Sequence, residues 1–542
     1  MLAAFEAWGV EKTLVRMNGM FALALWDRAE RALHLARDRM GKKPLYYGWW
    51  GGAFLFASEL KACRAFPGCA PELDREAVAL FLRHACVPWP HCVYKNFRKL
   101  PPAGWLTLQN PRPGELSPAR RYWSLDRVVA RGAANPLQEP AADTLDRIEV
   151  LLNDAVAIRM ISDVPLGSLL SGGVDSSLIT ALMARQGAGP VKTFTIGFDQ
   201  AGFNEAEHAK AVAAHLGAEH HELYLNDKDA LAVVPRLPAL FDEPFADSSQ
   251  IPTFLVSRLA RGSVTVGLGG DGGDEVFSGY SRYLWGARVE KLKRLLPGPL
   301  AGLASRVITG LPTRVWAGLF GAANRVLPAS WKKDRPADNL SRVANALGRK
   351  GSLASYRALV SLWDRPEGII IGAGAAPTVF DQPAPPALEG DLARLSQYLD
   401  TVSYLPDDIL VKVDRASMGV SLECRAPLLD YRLVELSWRL PLSFLRRDGV
   451  GKWPLRQLLH RQVPRHLVDR PKSGFGVPLA GWLRGELKDW ASDLLSPARL
   501  QRQGLLKPGP VAAMWQEHRD GRLDWHHHLW ALLMLQAWLD GQ

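Results

Sequence analysis

The sequence predicts two domains. One is an N-terminal α+β part with paired antiparallel strands; the other is an α/β domain around a parallel sheet, ending in a mostly helical part. Three observations predict this. The chain has 542 residues, too many for a single hydrophobic core. Up to residue 125, short apolar runs are broken by turns. From residue 144 onward, strand-like and helix-like stretches alternate, which is the pattern of a parallel sheet with crossover helices.

Taken in order, FALALWD, ALHLARD, PLYYGWW and AFLFASEL read as antiparallel strands, with Gly and Pro between them. Residues 126–143 are rich in Ala and Pro, weakly periodic, and read as a linker. Leu145, Ile148, Leu152 and Ala155 then recur at helical spacing. VPLGSLL reads as a strand, SSLITALMAR as a helix and VKTFTIGF as the next strand. Asn204 can cap the following helix, with Glu207 as its capping-box partner, and Gly217 can end it. HHELYL and SVTVGL complete the strands, and beyond about residue 280 the chain is helical and rich in Trp and Leu.

Composition is ordinary for a globular chain, at 47% hydrophobic and 22% charged residues. No apolar run reaches the ~18 residues of a membrane helix. The start, MLAAFEAWGVEK, lacks the basic region of a secretory signal, so a cytoplasmic location and no membrane partner are expected. Five cysteines without a CxxC pair are expected as reduced thiols. The net charge of +11 permits an anionic partner, but it is spread along the chain with no Lys/Arg block, so no nucleic-acid partner is expected.

Chemistry enters at SLLSGGVDSS, residues 168–177, between a strand and a helix. Ligands of open α/β sheets bind at the carboxyl ends of strands. Gly172 and Gly173 let backbone N–H groups approach a bound group, and the helix N-terminus adds free donors and a positive dipole end. The hydroxyls of Ser171, Ser176 and Ser177 complete a cradle suited to phosphate. Asp175 would repel phosphate unless Mg²⁺ bridges the two. The Walker A sequence is absent, which suggests that pyrophosphate is held as a leaving group and the α-phosphate is attacked, giving an adenylate. The ordinary alternative is a glycine-rich βα turn. A second loop, GLGGDGGDE, follows SVTVGL and is expected on the same sheet edge. Gly269 and Gly270 again allow close approach, and Asp271, Asp274 and Glu275 form a carboxylate cluster that requires a cation. Asp175 and Asp274 can share one Mg²⁺. The alternatives here are a solvated acidic turn or a Ca²⁺ loop, although the spacing does not fit an EF-hand.

LLSGGVDSS, TFTIGF, FDEPFADSSQIPT, GGDGGDEVFSGY, LPDDILVKVDRASM, SLECRAPLLD and RPKSGFGVP occur in one order. In this the chain resembles, over nearly its whole length, the asparagine synthetases that take nitrogen from glutamine. The resemblance implies an N-terminal glutaminase of the N-terminal-nucleophile type over residues 1–125 and an ATP-pyrophosphatase domain over 144–542. It implies ATP and Mg²⁺, with aspartate and glutamine or ammonia as small-molecule substrates, and leaves a homodimer open. On the matching positions, Leu170 and Ile196 flank the adenine or ribose. Ser171, Gly172, Gly173, Asp175 and Ser176 form the pyrophosphate loop, and Gly269 and Gly270 contact the nucleotide. Asp175 and Asp274 hold the metal. Asp271 stands where some members carry Glu, a position tied to forming the acyl-adenylate. Lys472 matches the lysine that stabilises charge on the phosphate. Arg415 and Arg425 are candidates for holding substrate carboxylates, with structural ion pairs as the alternative, and Glu275 is a further substrate-binding candidate.

The family's glutaminase begins with Cys directly after the initiator Met. Here Met1 is followed by Leu2, and none of the five cysteines lies near the start. The expectation is a sequence that begins in mid-domain, through a misassigned start or a true truncation: as written it lacks the glutaminase nucleophile and can use free ammonia, while a full-length chain with the N-terminal Cys takes nitrogen from glutamine. Three rivals remain: a relative acting on another acid, from surface polysaccharide or secondary metabolism, an RNA-modifying pyrophosphatase, and a degenerate nucleotide-binding or scaffold protein without activity, against which the intact Asp175, Asp274 and Lys472 argue. WHHHLW and His220-His221 are read as helix and strand faces rather than metal sites, and VEKLKRLLPGPL as a solvated helix.

Overall fold

The computed structural model describes residues 1–187, 189–198, 206–295, 344–470 and 476–542. The first of these carry two antiparallel sheets. One has the order β1-β2-β6-β7, from β1 (Ala22–Asp27), β2 (Ala32–Arg37), β6 (Gly104–Gln109) and β7 (Arg120–Arg121); the other has the order β4-β3-β5, from β3 (Tyr46–Trp50), β4 (Ala53–Ala57) and β5 (Phe97–Lys99). Helices α1 (Leu2–Arg16) and α2 (Arg75–His84) flank them, and Asp74 caps α2 by accepting from the backbone of Glu76 and Ala77.

Residues 126–143, read as a linker, are helical except over 135–140. α3 (Leu125–Ala134) begins at the Ser124 cap and buries Leu125, Val128, Val129 and Gly132. These positions are three, four and seven residues apart along one helical face. Gly132 has no room for a side chain, because a Cβ there would lie 2.5 Å from the carbonyl oxygen of Trp438. α4 (Ala141–Met160) follows and buries Leu145, Ile148, Leu152 and Ala155, as the periodicity predicts.

The α/β domain has a five-stranded, all-parallel sheet of order β10-β9-β8-β11-β12. Its strands are β8 (Leu166–Leu169), β9 (Lys192–Phe198), β10 (Glu219–Leu225), β11 (Val266–Leu268) and β12 (Glu423–Arg425). The crossovers include α5 (Val174–Gln186), α6 (Ala206–His215) and α7 (Gln250–Arg261). Gly217 follows α6 with φ +63°, while Asn204 lies outside the described residues. The chain moves outward from β8 to β9 to β10 and then returns to β11 on the other flank of β8. Strand order therefore reverses between β8 and β11, where a crevice opens above the carboxyl ends.

The helical remainder includes α8 (Leu392–Leu399), α9 (Leu410–Met418), α10 (Trp453–His460) and α11 (His526–Asp540). Between α8 and α9 the chain is π-helical over Asp400–Ile409, a wide turn that accommodates Pro406 inside it. α11 is apolar all round because it is core: Trp530, Leu532 and Leu533 are fully buried. One hydrophobic cluster runs from Phe81, Val93 and Phe97 through Phe194 and Phe254 to Trp530, so the two domains share a core. Polar groups pin the same junction. Glu243 accepts from Tyr46 Oη and the Val93 N–H, both at 2.8 Å, and pairs with Lys99 Nζ at 2.7 Å.

Candidate active site

β8 and β11 are paired in register, Leu166 with Val266 and Ser168 with Leu268. Their carboxyl ends therefore deliver Ser171–Ser176 and Gly269–Glu275 side by side, into one cavity of about 600 Å³. Gly173 is the N-cap of α5, so the positive end of that helix opens into the cavity. The hydroxyls of Ser171 and Ser176 lie 3.0 Å apart, and Gly172 takes φ +69°. Gly270 is needed for a reason beyond ligand access. A Cβ there would lie 2.7 Å from both Asp175 Cβ and the Ser176 nitrogen, so glycine lets the two loops pack on each other.

Leu170, Ser171, Gly173, Asp175, Ser176, Ile196, Gly269, Gly270, Asp271, Asp274 and Glu275 all line this cavity. Gly172, within the first loop, packs against the start of α6 instead. Leu170 and Ile196 are buried and supply an apolar wall. Burial pushes the Asp271 carboxyl up, reinforced by Asp175 and Asp274 and opposed by Lys412. Glu275 is buried, accepts from Tyr280 Oη at 2.7 Å, and is pushed up to about 7, chiefly by burial and then by Asp274. Lys472 lies outside the described residues.

Two expected substrate contacts lie away from this cavity. Arg415 is buried at the domain junction: its Nη2 donates to the Ser58 carbonyl at 2.7 Å and its Nη1 lies 3.2 Å from Glu59. Arg425 donates from Nη1 to the carbonyls of Arg159 (2.8 Å) and Ile161 (2.7 Å), closing the exposed end of α4, and from Nε to Glu423. Neither guanidinium lines the cavity, and both make the carbonyl and carboxylate contacts of a structural role. Arg425→Ala is expected to lower the melting temperature, by the ~1.5–3 kcal/mol typical of hydrogen bonds to a charged group. Nucleotide affinity should stay at the wild-type value, and calorimetric titration alongside thermal unfolding checks both.

Sequence reasoning missed the cation at the centre. Lys452 Nζ hydrogen-bonds Asp175 Oδ2 and lies 2.9 Å from Asp274 Oδ1. It bridges the two carboxylates expected to share a metal. Burial pulls its pKa down, but Asp175 and Asp274 outweigh this and hold it above the ordinary lysine value. Lys452 sits at φ +57° just before α10, between Gly451 and Trp453, where its side chain turns back toward the loops. Lys412 donates to Asp247 at 2.6 Å on another wall, and Arg470 donates to the Ser171 carbonyl at 3.1 Å.

A second cavity of about 500 Å³ shares Asp247, Ser248, Tyr280 and Tyr404 with the first. Its floor is the π-helical turn carrying Asp407 and Asp408. Burial pushes Asp407 up to about 7, with Lys99, Arg37 and the Trp89 N–H opposing and Glu243 reinforcing. A carboxyl raised in the folded state holds its proton there after the unfolded chain has lost it, so its contribution to stability falls as pH rises from about 4 through 7. Asp407→Asn is therefore expected to raise the melting temperature by a few degrees at pH 8 and far less at pH 5, in paired thermal melts.

Asp175 and Asp274 suit Mg²⁺ as donors. Both are hard oxygen ligands on facing loops, and a magnesium ion that travels with phosphates needs only one or two carboxylates. Among the described residues no group of three or more His, Cys, Asp or Glu is arranged to hold a metal by itself. No helix among them is long and apolar enough to cross a membrane.

A parallel sheet with two glycine loops, clustered carboxylates and a bridging lysine at its switch point, joined to a layer of antiparallel sheets, defines a two-domain nucleotide-using enzyme. Comparison with known proteins sharpens this. The asparagine synthase family model matches residues 147–540 and the glutamine amidotransferase domain model matches residues 1–123. A Mycobacterium tuberculosis relative is 34% identical over 547 residues, covering 99% of this chain and 78% of that protein. The glutamine-hydrolysing asparagine synthetase 1 of Bacillus subtilis is 29% identical, covering 97% of this chain and 78% of its own length. Amidase chyE of Penicillium rubens is 26% identical, covering 93% and 76%. The chain belongs to the asparagine synthase family, whose members are carbon–nitrogen ligases.

Proposed function

We propose that the protein forms an amide on a carboxylic acid through an acyl-adenylate, consuming ATP and releasing AMP and pyrophosphate. The observation that carries this reading is the convergence of the two glycine loops on Lys452 at the reversal point of the sheet. The adenine lies against Leu170 and Ile196. The N-terminus of α5, the Ser171 and Ser176 hydroxyls and Lys452 receive the β- and γ-phosphates. Mg²⁺, held by Asp175 and Asp274, screens phosphate charge when bound.

The acid's carboxylate oxygen forms a bond to the α-phosphorus as the bond to the pyrophosphate oxygen breaks. Lys452 stabilises the charge that develops on the departing pyrophosphate. Asp271, on the wall between the loops, faces the reacting carboxylate. Ammonia then attacks the acyl carbon, a proton passes to a nearby base, and AMP leaves. Glutamine, suggested by the glutamine amidotransferase model over residues 1–123, and free ammonia are the two nitrogen sources to test on this chain.

Aspartate is the acid suggested by the relatives named as asparagine synthetases. A second reading, amidation of another acid, is supported by the engagement of Arg415 and Arg425 with backbone carbonyls outside the nucleotide cavity. The test is pyrophosphate release from ATP with Mg²⁺, an ammonium salt and a panel of acids. Acid-dependent pyrophosphate supports the reading; phosphate and ADP in its place reject it.

A further inference from the structure

The second cavity does not belong to the nucleotide, and it is the size of a chamber for a substantial ligand: about 500 Å³ lies within the ~300–1,000 Å³ range of sites that enclose drug-sized molecules. A four-carbon acid would leave most of it unfilled. Its walls are of two kinds. Trp89, Phe380 and Tyr404 line it as aromatic rings, each with one face against Arg121, His84 or Arg282 and the other left over, while its floor carries Asp407 and Asp408. These two are 4% and 3% exposed, so both are shielded from bulk water. Asp407 takes the Trp89 N–H on Oδ1 at 3.1 Å and leaves Oδ2 without a hydrogen-bond partner. Asp408 is hydrogen-bonded to Asp247 and leaves Oδ1 without one, the Lys412 ammonium standing off at 3.9 Å. Buried carboxyl oxygens without donors are costly and point to donors supplied from outside the chain.

The neighbouring cations are already committed: Lys412 to Asp247 at 2.6 Å and Arg282 to Asp400 at 2.6 Å. With these charges paired, the remaining demand is for neutral donors. Ser281, Ser361 and Ser403 also line the chamber and can both give and accept hydrogen bonds. Aromatic faces beside carboxyl acceptors and hydroxyls suit a ring that is apolar on its faces and hydroxylated at its edge. We propose that the acid amidated by this protein is a sugar-sized, hydroxylated ring carboxylate of the uronic-acid class, whose hydroxyls are received by Asp407 and Asp408. This rests on the acyl-adenylate reading only in that the chamber opens into the nucleotide cavity through Ser248 and Tyr280.

The test separates the two ideas. Binding of methyl glucuronoside, methyl galacturonoside and aspartate to the full chain is measured by calorimetry, without turnover. At least one uronoside is expected to bind tighter than aspartate by about tenfold, the scale of one well-made hydrogen bond. Val360→Trp, which adds bulk at a residue that lines the chamber and not the nucleotide cavity, should remove that preference while leaving ATP affinity unchanged. Asp407→Ala should weaken uronoside binding likewise, and Val360→Trp covers the case in which that variant fails to fold. Aspartate binding as tightly as both uronosides, or uronoside affinity untouched by Val360→Trp, overturns the proposal. Uronoside binding that never yields pyrophosphate with ATP supports the chamber and counts against the adenylation chemistry alone.

Discussion

Asp175→Ala lowers ATP-dependent pyrophosphate release by roughly 100-fold or more, the scale on which removal of a preorganised charge from a reacting centre is felt. Asp175 occupies the first turn of α5, lines the nucleotide cavity and holds Lys452 by a hydrogen bond. Its loss removes a proposed Mg²⁺ ligand and frees the ammonium from one side, so two proposed contacts with the phosphates fail together. Initial rates of pyrophosphate formation at saturating ATP measure the effect, and thermal melts of the same preparation separate it from unfolding. A rate within a factor of a few of the wild type would remove Asp175 from the chemistry.

Lys452→Ala has the second large effect, and part of it appears without substrate. The ammonium lies between two carboxylates whose side chains are only 16% and 15% exposed. Without it, like charges face each other in a shielded site. Breaking a buried pair by deleting one partner costs about 3–5 kcal/mol, so the variant should melt well below the wild type. Mg²⁺ supplies a replacement cation, and binding to the folded state alone raises stability by mass action. The melting temperature of Lys452→Ala should therefore rise with Mg²⁺ more steeply than that of the wild type, while the KM for ATP rises. Equal responses of both proteins to Mg²⁺ would mean that the two carboxylates do not form a cation site.

Much of this arrangement was legible in the residues because it is local. FALALWD, VKTFTIGF and SSLITALMAR carry their period in consecutive positions, and the structure forms strands and a helix there. The two loops were legible because glycines next to hydroxyls and carboxylates after an apolar run have few other uses. The missed parts are those set by tertiary contact. Lys452 is 277 residues from Asp175, and nothing in DGVGKWPLR distinguishes it from a surface lysine before a helix. Arg415 and Arg425 have the right chemistry for a carboxylate, but the fold spends them on backbone carbonyls. At residues 126–143 the prolines drew attention from the Leu125-Val128-Val129-Gly132 face, which packs as a helix. Asp407 and Asp408 lie in LPDDILVKVDRASM, one of the segments that carry the family resemblance, but nothing singled them out there, since a π-helical turn has no sequence period of its own.

The most direct measurement is a crystal structure of the full chain with Mg²⁺ and α,β-methylene ATP. Phosphates seated against the backbone of residues 171–176, with Lys452 and the Asp175–Asp274 pair around them and the α-phosphorus facing the second cavity, is the predicted result. Nucleotide bound elsewhere with both loops empty, or a γ-phosphate turned toward the second cavity, would contradict it.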